Sequence, residues 1–126
     1  MEEIQMNGTK LSMLMGRPRG TQLTQTFPVG HALLFPDCPY YIVKMWMFGG
    51  QSFYLSRRKK DPASFTLFAR KVIDPSGRVK LLNPVGSGRL NPEFPDYIEV
   101  HINLLHYPVF IELLPSNETQ IYEVIG

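Results

Sequence analysis

The chain has 126 residues, 44% of them apolar and 19% charged, with a net charge of +2. This composition suits one globular domain around one core and excludes wholesale disorder. A single cysteine, Cys38, excludes an internal disulfide framework and a cysteine-based structural zinc site.

Residues 1–30 differ from the rest. MEEIQMNG carries two acids and no apolar run behind a basic start, so it is not a secretory signal. Leu11, Met13 and Met15 alternate with Ser12 and Leu14, and GRPRG follows at 16–20, where Gly and Pro oppose a helix. The expectation is an extended N-terminal arm over 1–30, ahead of a single β domain over 31–126. Leu11, Met13, Met15, Arg17 and Arg19 of that arm are the candidate partner-binding residues. The apolar three must be buried against something, and the two arginines can hold a carboxylate or a phosphate.

Beyond residue 30, eleven prolines along the whole chain disfavour long helices, and turn signals separate short apolar runs. YIVKMWMF (41–48) reads as a buried strand, Gly49-Gly50 as a turn, and QSFYLS (51–56) as its return. SFTLFARKVI (64–73) and RVKLL (78–82) form a hairpin about the turn DPSG, with Val79 and Leu81 inward. NPVGSGRLNPEFP (83–95) reads as a long loop. YIEVHINL (97–104) alternates, with Ile98, Val100, Ile102 and Leu104 on one face. VFIELL (109–114) and QIYEVI (120–125) complete the set. The fold class is therefore all-β: a small sandwich or barrel of about seven short antiparallel strands, with the arm attached.

No catalytic, cofactor or metal-ligating set emerges. His101 and Glu99 share a strand face, but His106 has the opposite parity, and no HExxH is present. Cys38 has no neighbouring cation in sequence to activate it. No serine sits in a GxSxG context, and Gly86-Ser87-Gly88 lacks the spacing and lysine of a phosphate loop.

Charge is unevenly placed. From Lys44 to Arg89 there are ten Lys/Arg against Asp61 and Asp74, whereas residues 91–126 hold six acids and no Lys or Arg. The run Arg57-Arg58-Lys59-Lys60 is the strongest charged feature. Flanked by Phe53, Tyr54, Phe65 and Phe68, it is a candidate contact for nucleic acid or an acidic partner.

The expected function is that of a non-enzymatic structural or assembly protein without a cofactor. By analogy of build, it would be a small virion component such as a phage capsid decoration (cement) or tail protein. Its partners would be further copies or a larger protein assembly, reached through the arm and charged faces. The alternative is a nucleic-acid-binding barrel of the OB or SH3-like kind using Arg57–Lys60. No membrane is expected, because no stretch approaches the ~20 apolar residues that span a bilayer. The expected location is the cytoplasm or an assembled particle.

Overall fold

A computed structural model describes residues 4–113 and 120–125; for 4–7 and 120–125 only the backbone is described. Among the described residues nine strands form one antiparallel sheet: β1 (Ile4–Arg19), β2 (Gln22–Leu34), β3 (Tyr40–Met45), β4 (Ser52–Arg57), β5 (Ser64–Ile73), β6 (Val79–Leu90), β7 (Tyr97–Ile102), β8 (Val109–Glu112) and β9 (Gln120–Ile125). Strands β2 to β8 follow each other in order around the sheet, and β1 pairs with both β8 and β2. The sheet is thereby closed into an up-and-down barrel of eight staves. β9 runs along the first half of β1, from Thr9 opposite Gln120 to Ile4 opposite Ile125. Of the strand expected over 109–114, residue 114 lies outside the described residues.

Eight staves enclose a space that side chains alone can fill. Alternate residues of seven staves supply most of them: Leu11 and Met13, Val29, Val43 and Met45, Phe53 and Leu55, Phe65 and Leu67, Ile98, Val100 and Ile102, and Val109 and Ile111; β6 adds the partly buried Val85 and Leu90. The strand-parity reading of Ile98, Val100 and Ile102 as inward holds. A second, smaller cluster lies apart from it: Phe94 stacks on Tyr97 at 4.6 Å, both pack on Phe110, and Leu14 and Leu23 border the trio.

The barrel corrects five expectations. Val79, expected to face inward, lies on the part of the β5–β6 hairpin beyond the barrel and is 46% exposed. Residues 1–30 are not an arm set off at residue 30. Gly30 lies inside β2 opposite Met45, and Leu11 and Met13 are core residues at 3% and 0% exposure. Their alternation was that of a barrel stave, which accounts for the two strands beyond the seven expected. The strand expected over 41–48 stops at Met45, and Trp46–Phe48 turn as a 3-10 segment. The loop expected over 83–95 begins only after Leu90. Pro84 is tolerated in β6 because it sits opposite Phe68 where β6 has no second neighbour, as β7 pairs only from Gly86 onward. Leu104 does not continue the inward face of β7. The chain turns after Ile102, where Leu105 N–H donates to the Ile102 carbonyl, and Leu104 is left 87% exposed.

Two hairpins outgrow the barrel. β2 pairs with β3 only over Gly30–Leu33, and β1 meets β8 only at Met13 and Leu14, so Met15–Phe27 leave the closed sheet as a two-stranded ribbon, which folds back on the outside of the barrel until Leu23 packs on the Phe94–Tyr97–Phe110 cluster. Register shifts at Met13/Leu14 and Met15/Arg17 bend this ribbon. The β5–β6 hairpin likewise runs past β4 and β7 from Ala69 to Val85. Its DPSG turn is held by the Asp74 carboxylate, which accepts from Ser76 N–H (2.9 Å), Ser76 Oγ–H (2.6 Å) and Arg78 N–H (2.9 Å).

Candidate docking surface

Antiparallel staves place alternate connections at opposite ends of the barrel. One end carries both ribbons, the Trp46–Gln51 connection and the Asn103–Pro108 connection. We call it the ribbon end. The other carries the connections at 35–39, 58–63 and 91–96.

All eight large apolar side chains that stand exposed among the described residues are at the ribbon end. They are Phe27 on the first ribbon, Trp46 and Met47 after β3, Ile73, Val79 and Leu82 on the second ribbon, and Leu104 and Tyr107 after β7. Leu104 (87%), Tyr107 (70%), Ile73 (65%) and Trp46 (60%) are the most open. Single exposed apolar residues scattered over a surface need no explanation, whereas their concentration on one face marks an interaction site. None of the eight is held out by a polar anchor. They are exposed because they sit on turns and ribbons that outrun the closed sheet.

The same end has relief. A groove of about 520 Å³ lies beside the first ribbon, lined by Met15, Arg17, Phe27, Tyr107 and Pro108 among others. A second hollow of about 220 Å³ shares Met15 and Tyr107 with it and continues to Met47, Leu104 and Leu105. The end is also basic. Arg17 lines the groove, the second ribbon carries Arg70, Lys71, Arg78 and Lys80, and the one acid on that ribbon, Asp74, is bound into its own turn. Those hydrogen bonds, first from Ser76, hold the Asp74 carboxyl below the usual carboxylate range. Lys71 bends back over the rings of Tyr54 (5.5 Å) and Tyr40 (5.9 Å), and among the described residues no carboxylate forms an ion pair with the other cations of this end. Burial, then the neighbouring Cys38, raise the Tyr40 hydroxyl's pKa, and Lys71 opposes them.

The sequence candidates divide accordingly. Arg17 and Arg19 are exposed on the first ribbon, and Met15 is half-buried at the groove. Leu11 and Met13 are inside the barrel and have no surface to offer a partner. Arg57, Arg58, Lys59 and Lys60 lie at the other end, exposed on the β4–β5 connection. The aromatics that flank them are turned away: Phe53 and Phe65 are core, Tyr54 and Phe68 are half-buried, and the Arg57 guanidinium rests 5.1 Å from the Phe65 ring centre. The basic run and the exposed aromatics therefore occupy opposite ends.

The residues weighed for chemistry are now placed. Glu99 Oε2 takes His101 Nε2 at 2.8 Å and Arg89 Nε at 3.5 Å on the outside of β6 and β7. The Cys38 thiol donates to the Tyr40 carbonyl at 3.2 Å. No group of three or more His, Cys, Asp or Glu among the described residues is arranged to hold a metal ion. Sequence reasoning missed Phe27, Leu104 and Tyr107. The prolines beside the last two marked turns, but only the end at which those turns emerge gives them meaning.

The far end has its own pattern. Glu93, Asp96 and Glu112 gather at the β6–β7 connection and the foot of β8, since Glu112 stands opposite Tyr97 and the Asp96 carbonyl accepts from Leu113 N–H. At the same end but on the β2–β3 side of the barrel, a hollow of about 240 Å³ is lined by Thr9, Leu34, Phe35, Pro36 and Cys38. No helix of the described residues is long and apolar enough to cross a membrane. Compared with known proteins, the chain matches no family model, no curated protein and no solved structure.

Proposed function

We propose that this protein is a non-catalytic assembly component that associates with further copies of itself through the ribbon end of its barrel. The observation that carries the reading is the location of the eight exposed apolar side chains on that one end. Burying such a face releases about 25 cal/mol per Å² of apolar surface. The arginines around it suit an interface rim, where Arg is enriched, and Trp46 and Tyr107 are of the types that anchor interfaces. The setting we propose is a particle built from repeated copies, such as a virion shell or tail, to which a small closed barrel contributes little free sheet edge beyond its ribbons and β9.

Trp46 is the single tryptophan of the chain, so its fluorescence reports this end alone. The expected result is an emission maximum that shifts to shorter wavelength as protein concentration rises, in step with the mass measured by sedimentation. Emission typical of open indole, with the mass of one chain at every concentration, would overturn the reading.

Nucleic acid binding through Arg57–Lys60 is the second reading, supported by four consecutive exposed cations. It has less support because no exposed aromatic stands beside them to stack a base.

A further inference from the structure

Resting on that assembly reading, we propose that the first ribbon is exchanged between copies: it swings out at its bend and packs Leu23 on the Phe94–Tyr97–Phe110 trio of a second copy. The occupant is known from the chain itself, because within one copy Leu23 already packs on that trio. Tyr97 and Phe110 lie on the outer face of β7 and β8, out of step with the inward Ile98 and Ile111, and all three rings are buried there. A second copy offers the identical surface, so the exchanged contact repeats the native one. Arg17 and Arg19 on the ribbon also meet the same surroundings in either place.

The bend supplies the reason to exchange. Met15 stands opposite Phe27 and Arg17 opposite Thr24, so Gly16 alone faces both Gln25 and Thr26. Gln25 is held at a φ of 53°, a left-handed backbone that is costly for any residue with a β-carbon. The bend is tight as well: a β-carbon on Gly16 would stand 3.0 Å from Thr26 Cγ2 and 3.1 Å from the Thr24 carbonyl oxygen. Beneath it the ribbon stands off the body, since the groove of about 520 Å³ lies between Gly16, Pro18, Gln25 and Phe27 on one side and Tyr107 and Pro108 on the other. Opening the bend returns Gln25 to extended backbone and gives up the Leu23 contact, which the second copy restores. Short hinges under strain invite this exchange, and swapping an identical element is a low-cost route to association. Phe27 and Tyr107, exposed on the two sides of the groove, lie at the crossing point, where a neighbour covers them. Reciprocal exchange closes a pair of copies, and a ribbon passed on to a third copy leads to a ring.

The test compares Gln25→Gly with Gln25→Val in the full chain. Both lose the amide side chain, so the difference between them reports the backbone. Glycine takes positive φ without cost and keeps the ribbon bent, whereas a β-branched residue resists it and favours the open ribbon. Light scattering over a concentration series is expected to place the midpoint of association at least about fivefold above the wild type for Gln25→Gly, the fold-change that about 1 kcal/mol of backbone cost gives, and below the wild type for Gln25→Val. A second measurement does not depend on the bend. Two populations on a Cys38→Ser background, one with Leu23→Cys and the other with Phe94→Cys, are mixed at a concentration where the wild type is assembled and treated with a short bismaleimide. A crosslink between positions 23 and 94 then has to join two chains, and it is expected to form.

Absence of that crosslink overturns the exchange, and so do equal midpoints for Gln25→Gly and Gln25→Val. If in either case the wild type still assembles and Leu104→Ser with Trp46→Ser does not, the ribbon end docks on further copies without exchanging its ribbon. A wild type that stays a single chain at every concentration overturns the assembly reading along with the exchange.

Discussion

Met13 stands opposite Ile111, and that pairing, with Leu14 opposite Phe110, is the whole of the contact by which β1 joins β8 and the barrel closes. Met13 is fully buried, and its other neighbour in the sheet is Gly30 of β2. A side chain at a two-residue seam contributes packing that no adjacent pair can replace. Met13→Ala is expected to destabilise the fold by about 2–5 kcal/mol, the range for large-to-Ala changes in cores. Urea unfolding with an unchanged m-value checks this. A loss below about 0.5 kcal/mol, typical of surface positions, would show that the seam does not depend on Met13.

Gly86 lies against β7, so that a β-carbon added to it would collide with the His101 carbonyl oxygen and approach Ile102 Cα at 3.1 Å. Both are backbone atoms of a paired strand and cannot give way as a side-chain tip can. Gly86→Ala is therefore expected to cost about 1–3 kcal/mol, as overpacking does. Gly50, in the Trp46–Gln51 connection, has nothing within 4 Å of an added carbon. Gly50→Ala is expected to leave stability within about 0.5 kcal/mol. Paired melts of the two variants make the comparison, and equal losses would contradict the close approach of β6 and β7.

His31 sits on β2 between Ser12 of β1 and Lys44 of β3. Partial burial, then Lys10 and Lys44, hold its pKa below the ordinary histidine value. Above about pH 6.5 the ring is neutral in both folded and unfolded chains, and His31 has no effect on the pH dependence. Below that, the unfolded chain binds a proton that the folded chain resists, so stability falls as the solution is acidified. His31→Gln is expected to lose less stability than the wild type between pH 7 and pH 5. Melting curves at both pH values test it, and identical acid losses would remove His31 from the account.

Asp74 organises the tip of the second ribbon through three hydrogen bonds within its own turn. Asp74→Ala is expected to speed amide exchange at Ser76 and Arg78 by at least severalfold while the melt of the barrel stays in place, because the tip lies beyond the core. Unchanged exchange at those two amides would show that the turn is held by Pro75 and Gly77 alone.

Much of the fold was legible in the sequence where periodicity was local. The pairing of the DPSG hairpin and the alternation of Ile98, Val100 and Ile102 emerge in the structure as read, whereas Val79, read as inward, is exposed. What was not legible depended on distant partners. Leu11, Met13 and Met15 have the same alternation whether they line a barrel or an arm, and only the pairing of Met13 with Ile111 decides between them. Pro84 reads as a loop residue until its place on a one-sided ribbon is known. The candidate surface was less legible still. Phe27, Trp46, Ile73 and Leu104 are 19 or more residues apart in sequence and share one end of the molecule only because β2 starts there and β3, β5 and β7 finish there. Arg17 and Arg19 were legible as part of an extended segment, because Gly and Pro around them oppose a helix, and both are exposed on β1.

The central claim is that the ribbon end docks on further copies. Light scattering of the wild type beside Leu104→Ser with Trp46→Ser, across a hundredfold range of concentration, tests it most directly. Both substitutions are at open positions, so the variant is expected to melt as the wild type does. The account predicts a wild-type mass that rises to several chains and a variant that stays at one. Equal masses for the two proteins at every concentration would contradict it.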